Sequence, residues 1–153
     1  MPTAKPVPFK AVMPIRFADV DHARILYYPR FFHLFHQAFE DFFNDHLEQP
    51  YAHVLGVEKV GFPAVHAEAD YYFPLRFGDV AEVELTIEKI GTKSATIVYS
   101  VRREVNQTLC CRGQVVVVSI NMDTLEGMPI PDKYRQLFEE YKAATDAQAT
   151  REP

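Results

Sequence analysis

The feature that most constrains this chain is a window of aromatic residues at helical spacing, running from Tyr27 to His46. Apolar side chains recur at 28, 31, 32, 35, 38, 39, 42 and 43, while Arg30, His33, Gln37, Glu40, Asp41 and Asn44 take the other side. That is the period of an amphipathic α-helix with a broad buried face. Pro29 suits a first helical turn, where its missing N–H costs nothing, so the spacing predicts a helix that starts near Tyr28. Burying a phenylalanine is worth about 1.5–3 kcal/mol only when water is removed from it. Such a helix therefore needs an enclosing surface.

The remainder of the chain supplies one. Val12 to Phe17 reads as a strand and runs into a polar turn, Ala18-Asp19-Val20-Asp21-His22. After an irregular stretch containing Pro50, Gly56, Gly61 and Pro63, alternation places Val65, Ala67, Ala69, Tyr71 and Phe73 on one face and His66, Glu68, Asp70 and Tyr72 on the other. A turn over 74–79 leads to a second alternating run, Val83, Leu85 and Ile87 against Glu82, Glu84 and Glu88. Gly91-Thr92 signals a hairpin, a third run covers about Ser94 to Val105, Asn106-Gln107 turns again, and Leu109 to Met122 reads as a long final strand. No connection is long enough for a crossover, so these strands are antiparallel neighbours. Val115-Val116-Val117-Val118 abandons alternation and calls for cover on both faces. The long helix supplies one cover; a short C-terminal helix, about Pro131 to Lys142, or a second subunit supplies the other. The resulting class is α+β, a five-stranded antiparallel sheet wrapped around one helix. The folded domain is expected over 9–142, with a flexible arm at 1–8 and a flexible tail at 143–153.

Composition sets the outer bounds. A chain of 153 residues that is 48% hydrophobic makes one domain with a real core. Its 21 acidic and 16 basic residues give a net charge of −5 without basic runs, which argues against nucleic acid as a partner. No apolar run approaches the ~20 residues of a membrane span, and the start lacks the hydrophobic core of a secretory signal, so no membrane and a cytoplasmic location are expected. Cys110 and Cys111 are adjacent, face opposite sides of a strand and read as reduced packing residues.

Most catalytic signatures are missing: no Gly-rich phosphate loop, no His-Glu-x-x-His, no Gly-x-Ser-x-Gly and no paired cysteines at zinc spacing. His33 and His36 fall within one helical turn, but with no third ligand a metal is not expected. The informative segment is Phe17-Ala-Asp-Val-Asp-His-Ala-Arg-Ile-Leu-Tyr-Tyr-Pro-Arg-Phe-Phe32. A carboxylate seven residues before a helix start sits beside unpaired backbone donors, which offers a base or nucleophile next to an anion-stabilising site. Read by pattern alone, Asp19 and Asp21 fit turn-shaping or capping roles at least as well.

The segment resembles the signature of the hotdog-fold acyl-CoA thioesterases of the 4-hydroxybenzoyl-CoA thioesterase branch, in which Phe-x-Asp-x-Asp precedes an aromatic-Tyr-Pro helix start. A second match is Tyr72-Phe-x-x-x-Arg-Phe-Gly-Asp79, and a third, weaker one is Gly91-Thr-Lys-Ser94. Together they cover nearly all of Phe9 to Pro131. The resemblance implies a hotdog homodimer or homotetramer that hydrolyses an acyl-CoA to free acid and CoA. It implies Asp21 as the catalytic carboxylate, acting as nucleophile or as general base, and the backbone N–H of Tyr28 as the donor to the oxyanion. It calls for no metal or cofactor, coenzyme A being part of the substrate. Around an aromatic or medium-chain acyl group it places Tyr27, Phe32 and His36. Lys93 and Ser94 match the hairpin that meets the nucleotide phosphates, with Arg24 and Arg30 as alternative cations, and His66 falls where hotdog dimers approach their partner. Two departures stand out. Arg24 replaces the family's usual Gly, so the loop either avoids a positive φ or holds a new cation. His36 replaces a carboxylate that meets the hydroxyl of 4-hydroxybenzoyl-CoA, which makes that compound a doubtful substrate. Other readings are an acyl-CoA-binding module without turnover and a thioesterase that takes acyl carrier protein.

Overall fold

The computed structural model describes residues 5–150, in the order β1 (Phe9–Pro14), α1 (Arg30–Asp41), α2 (Tyr51–Gly56), β2 (Val60–Gly61), β3 (Ala64–Tyr71), β4 (Val80–Ile90), β5 (Ser94–Arg103), β6 (Leu109–Val118), β7 (Ile120–Asn121) and α3 (Asp132–Ala149). Five strands form one antiparallel sheet in the order β1-β4-β5-β6-β3, and α1 crosses its inner face. This is the expected α+β sheet around one long helix. Among the described residues no helix is long and apolar enough to cross a membrane.

The helix starts at Arg30, two residues after Tyr28 and so near where its spacing places it; Pro29 is already in the helical region, and Arg30 N–H and Phe31 N–H donate to Tyr27 O and Tyr28 O in the tight turns that lead in. Its buried stripe is Phe31, Leu34, Phe35, Ala38 and Phe39, continued by Phe42 and Phe43 in a π-helical turn over Phe42–His46. Opposite it lie Val83, Leu85 and Ile87 of β4, Ala95, Ile97, Tyr99 and Val101 of β5, and Cys111, Gly113 and Val117 of β6, all buried. The Phe35 ring stacks on Tyr99 with centroids 4.8 Å apart and planes 8° from parallel. It also lies directly over Gly113, where an added Cβ would come within 2.2 Å of the ring. Glycine at that point lets the helix settle onto the sheet. Both cysteines are free and buried, and burial pushes the Cys111 thiol up to about 12.

Several expectations about the edges need correction. The C-terminal helix is not short: it runs on to Ala149, and Thr145, within the expected tail, is buried. Nor does it cover the outer face of β6. Tyr134 and Phe138 pack on Phe43 and Tyr141 packs on Phe42, so α3 lies against the π-helical turn that follows α1 and against β4. The Tyr141 hydroxyl donates to Leu85 O at 2.5 Å and accepts from Phe9 N–H at 2.7 Å. The last strand breaks at Ser119, and Ile120–Asn121 pair with β2 instead. Val116 and Val118 are left only half-covered. In β3 a bulge between Ala64 and His66 makes Val65 the extra residue, which removes it from the face of Ala67 and leaves it 62% exposed. Phe73 lies beyond the end of β3 and is exposed rather than packed on the helix. Of the expected arm and tail, 1–4 and 151–153 lie outside the described residues.

The Phe35–Gly113 contact gives a direct test. Gly113→Ala forces the stacked ring or β6 to move and should destabilise the fold by roughly 1–3 kcal/mol, read as a lower urea midpoint at unchanged slope.

Candidate active site

The loop between β1 and α1 is a narrow, hydrogen-bonded excursion. Val20 and Leu26 form an antiparallel bridge, Asp21 N–H donates to Ile25 O at 3.1 Å, and Tyr27 N–H donates to Asp19 O at 2.9 Å. At its tip Arg24 N–H donates to Asp21 O, and Arg24 takes φ of 67°. The arginine thus adopts the backbone a glycine would favour, so the expectation of a loop that avoids a positive φ is corrected: the positive φ is kept.

The two aspartates divide their labour by geometry. Asp19 is largely enclosed, with Oδ2 accepting from Arg16 N–H at 2.9 Å and Oδ1 lying 3.2 Å from Arg30 Nη2. Both of its oxygens, and the Arg30 cation with them, serve the loop. Asp21 is exposed, one oxygen accepts from Ala23 N–H at 2.8 Å, and the other has no hydrogen-bond partner among the described residues. That free oxygen is available to a reacting group.

The second motif fastens this loop in place. Leu26 N–H donates to the carbonyl of the fully buried Leu75, at the head of the turn Arg76-Phe77-Gly78-Asp79. Asp79 accepts from Arg76 N–H at 2.8 Å and from the Arg103 guanidinium at 2.9 Å, while Gly78 supplies φ of 91°. Its Phe-Gly-Asp residues act here as architecture. The role of Asp79 is one that sequence reasoning missed, although an Asp closing a Gly turn is a known turn signal.

At the entry to α1, Tyr28 N–H meets no acceptor among the described residues, so the donor faces open space beside the positive end of the helix. Tyr28 O accepts from the Tyr71 hydroxyl at 3.4 Å, and the exposed rings of Tyr27, Tyr28 and Tyr71 form a chain with centroids 5.4 and 6.2 Å apart. Tyr71, expected as packing on the helix, also belongs to the mouth of the site. A cavity of about 300 Å³ opens between α1 and the inner sheet face, lined by Phe32, Phe35, His36, Phe39, Ala67 and Tyr99 among others. It begins at Phe32, one helical turn or about 6 Å beyond Tyr28. His36 holds Glu40 at 3.2 Å across one turn. His33 points to the other flank of the helix, toward Met13 and Gln37, so the two imidazoles do not converge. Among the described residues no three His, Cys, Asp or Glu side chains gather as metal ligands.

The sequence-selected residues therefore fall into three places. Asp21, Arg24, Tyr27 and Tyr28 share the loop; Phe32 and His36 share the cavity; the rest are elsewhere. His66 lies on the outer sheet face across from Val116, exposed and 3.5 Å from Glu68. Lys93 and Ser94 stand at the opposite end of the sheet, where Ser94 pairs with Val118 while Tyr71 pairs with Cys111. That separation is roughly 23 Å along β6. Their hairpin is held by Arg135, which donates to Gly91 O at 2.9 Å and Thr92 O at 2.7 Å, and by Ser119 N–H donating to Lys93 O. Tyr99 lines the cavity but was absent from the sequence-selected set, because at an inward position beside Ile97 and Val101 it reads as core.

Known proteins bear on this arrangement. The family described as the thioesterase-like superfamily matches residues 15–138. A 1,4-dihydroxy-2-naphthoyl-CoA hydrolase of Synechocystis sp. is 27% identical over 119 residues, spanning 77% of this chain and 85% of that relative. Among solved structures, a 1,4-dihydroxy-2-naphthoyl-CoA thioesterase from Synechocystis superposes with a TM-score of 0.77 at 24% identity, covering 85% of this chain and 94% of that one. Gentisyl-coenzyme A thioesterase BH1999 superposes with a TM-score of 0.76 at 25% identity, covering 83% and 99%.

The loop tip can be tested for strain. A side chain in the left-handed region costs roughly 1–2 kcal/mol, part of which glycine returns as unfolded-state entropy. Arg24→Gly should leave stability unchanged or raise it by up to about 1 kcal/mol, whereas Arg24→Val should lower it by about 1–2 kcal/mol in urea titrations.

Proposed function

The chain belongs to the thioesterase-like superfamily and is a thioester hydrolase acting on acyl-CoA, and on that premise we propose that Asp21 is its catalytic carboxylate, with the substrate held across two copies of the chain. The observation that carries this reading is the contrast between the two aspartates. Asp19 spends both oxygens on the loop, and Asp21 keeps one free on the same loop that runs into the unpaired Tyr28 N–H. A thioester carbonyl laid between them would have its oxygen polarised by the helix-start donor and its carbon open to attack. Asp21 then either adds its free oxygen to that carbon, expelling CoA thiolate and leaving a mixed anhydride that a water hydrolyses to the free acid and Asp21, or takes a proton from a water whose oxygen adds to the carbon as the C–S bond breaks; in both routes the proton given up by that water ends on the thiolate, and CoA leaves as the thiol. No group beyond the chain and the CoA of the substrate is called for.

The acyl group would lie in the cavity beneath Phe32 and His36, whose size suits one or two rings or a medium chain rather than the whole coenzyme. Relatives named for dihydroxynaphthoyl-CoA and gentisyl-CoA favour the aromatic choice. The nucleotide end of CoA would reach the Lys93–Ser94 hairpin of the second copy. That assignment rests on β3, an edge strand exposed along nearly its whole length. Pairing two such edges antiparallel turns one sheet end over to face the other and covers Val65 and the half-buried Val116 and Val118. His66 would then lie near the seam as a packing residue.

Two measurements check these assignments. Asp21→Asn should lower thioester hydrolysis by about 10²–10⁴-fold with little loss of stability, while Asp19→Asn should lower the melting temperature; undiminished turnover in Asp21→Asn excludes the role. Sedimentation should give a mass of two or more chains, and a single-chain mass at assay concentration would remove the second copy from the site.

A further inference from the structure

The cavity beneath α1 is walled by Phe32, Phe35, Phe39, Phe62 and valines of β6, and only two of its side chains carry a polar end. One is His36, exposed at the rim and already engaged with Glu40. The other is Tyr99, which is 2% exposed and stacked on Phe35 at the floor. Its hydroxyl makes no hydrogen bond with any described residue. Of the three other buried tyrosines, Tyr134 donates to Glu58 and Tyr141 both donates to Leu85 O and accepts from Phe9 N–H, while the Tyr51 hydroxyl is also unpaired among the described residues but does not line the cavity. Ser119 Oγ also lacks a partner, but it is sealed inside the protein. Tyr99, by contrast, lines open space.

A buried phenol without a partner is costly unless something that enters the cavity pairs with it. Burial, and the nearby Tyr51, push the Tyr99 phenol well above its ordinary range, so it stays a neutral hydroxyl able to donate. The position is also rigid. Phe35, itself seated over Gly113, stacks flat on the ring, and a fixed donor in an apolar wall is the usual means by which a pocket tells a hydroxylated ligand from its unsubstituted counterpart.

We propose that Tyr99 is the specificity-determining residue of the acyl pocket, its hydroxyl pairing with a ring hydroxyl on the acyl group of the thioester. This rests on the reading of that cavity as the acyl site. It assigns hydroxyl recognition to β5, where the sequence directed attention to the helix at His36. An acyl ring lacking the substituent would leave the Tyr99 hydroxyl unpaired and be hydrolysed less efficiently. One whose hydroxyl reaches the floor would satisfy it.

The test compares wild type and Tyr99→Phe on benzoyl-CoA, the monohydroxybenzoyl-CoA isomers and an aliphatic medium-chain acyl-CoA. Wild type should prefer at least one hydroxylated isomer over benzoyl-CoA. Tyr99→Phe should abolish that preference, lowering kcat/KM for the isomer about 10-fold or more relative to kcat/KM for benzoyl-CoA. A melting temperature at or above wild type and an unchanged far-UV spectrum confirm that the variant folds. A preference that survives in Tyr99→Phe, or an equal fall on every substrate, overturns the proposal while leaving the thioesterase reading intact. Turnover of the aliphatic thioester alone overturns both the aromatic acyl reading and the role of Tyr99. Loss of all hydrolysis in wild type counts against the acyl-CoA reading itself.

Discussion

The contact on which the rest of the molecule depends is the seating of Phe35 between Tyr99 and the bare backbone of Gly113. A helix carrying this many phenylalanines could rest on a sheet in many ways, since dispersion and burial have no direction. The missing Cβ at Gly113 removes that freedom by letting one ring drop into the sheet. The stacking on Tyr99 then sets the rotation of the helix about its axis. With that rotation fixed, Phe31, Leu34, Ala38 and Phe39 turn inward, while Phe32 and His36 turn to the flank where the cavity opens.

Much of this was legible in the sequence because it depends on periods. A 3.6-residue period of large apolar groups gives the helix, a two-residue period gives the strands, and short turns give antiparallel neighbours. What was less legible depends on ends and interruptions. The bulge at Val65 changes the count by one and so moves a side chain off its face, which no alternation pattern shows. The extension of α3 to Ala149 comes from tertiary contacts, Tyr141 on Phe42 and the burial of Thr145, acting on an Ala/Thr/Gln stretch that looks indifferent on its own.

The candidate site was legible in a different way. Its loop residues lie close together in sequence, so a motif captured them, and Phe32 and His36 followed from the helix they sit on. Tyr99 lies in a strand far along the chain and reads as one more inward aromatic. Only the absence of a partner for its hydroxyl, a three-dimensional fact, separates it from Tyr134 and Tyr141. Arg24 shows the opposite case. A residue type that argued against the family's loop geometry turned out to accept that geometry, because the bridge between Val20 and Leu26 and the bond from Asp21 N–H to Ile25 O hold the loop tip regardless of who occupies it.

Asp19 and Asp21 carry the same side chain two residues apart, and the fold makes them different groups. Asp19 is drawn under the loop by Arg16 N–H and Arg30, and a carboxylate with both oxygens committed can neither attack nor accept a proton without releasing its partners. Asp21 spends one oxygen on Ala23 N–H, which orients the carboxylate, and leaves the other unencumbered. One bond fixes direction and two would silence the group. The ion pair with Asp19 engages Arg30, which leaves Arg24 at the loop tip and the Lys93 hairpin as the cations open to a distant nucleotide. In one protomer the Lys93 hairpin is too far along β6 to serve the same ligand, and the exposed β3 edge is where a second copy would bring it within reach.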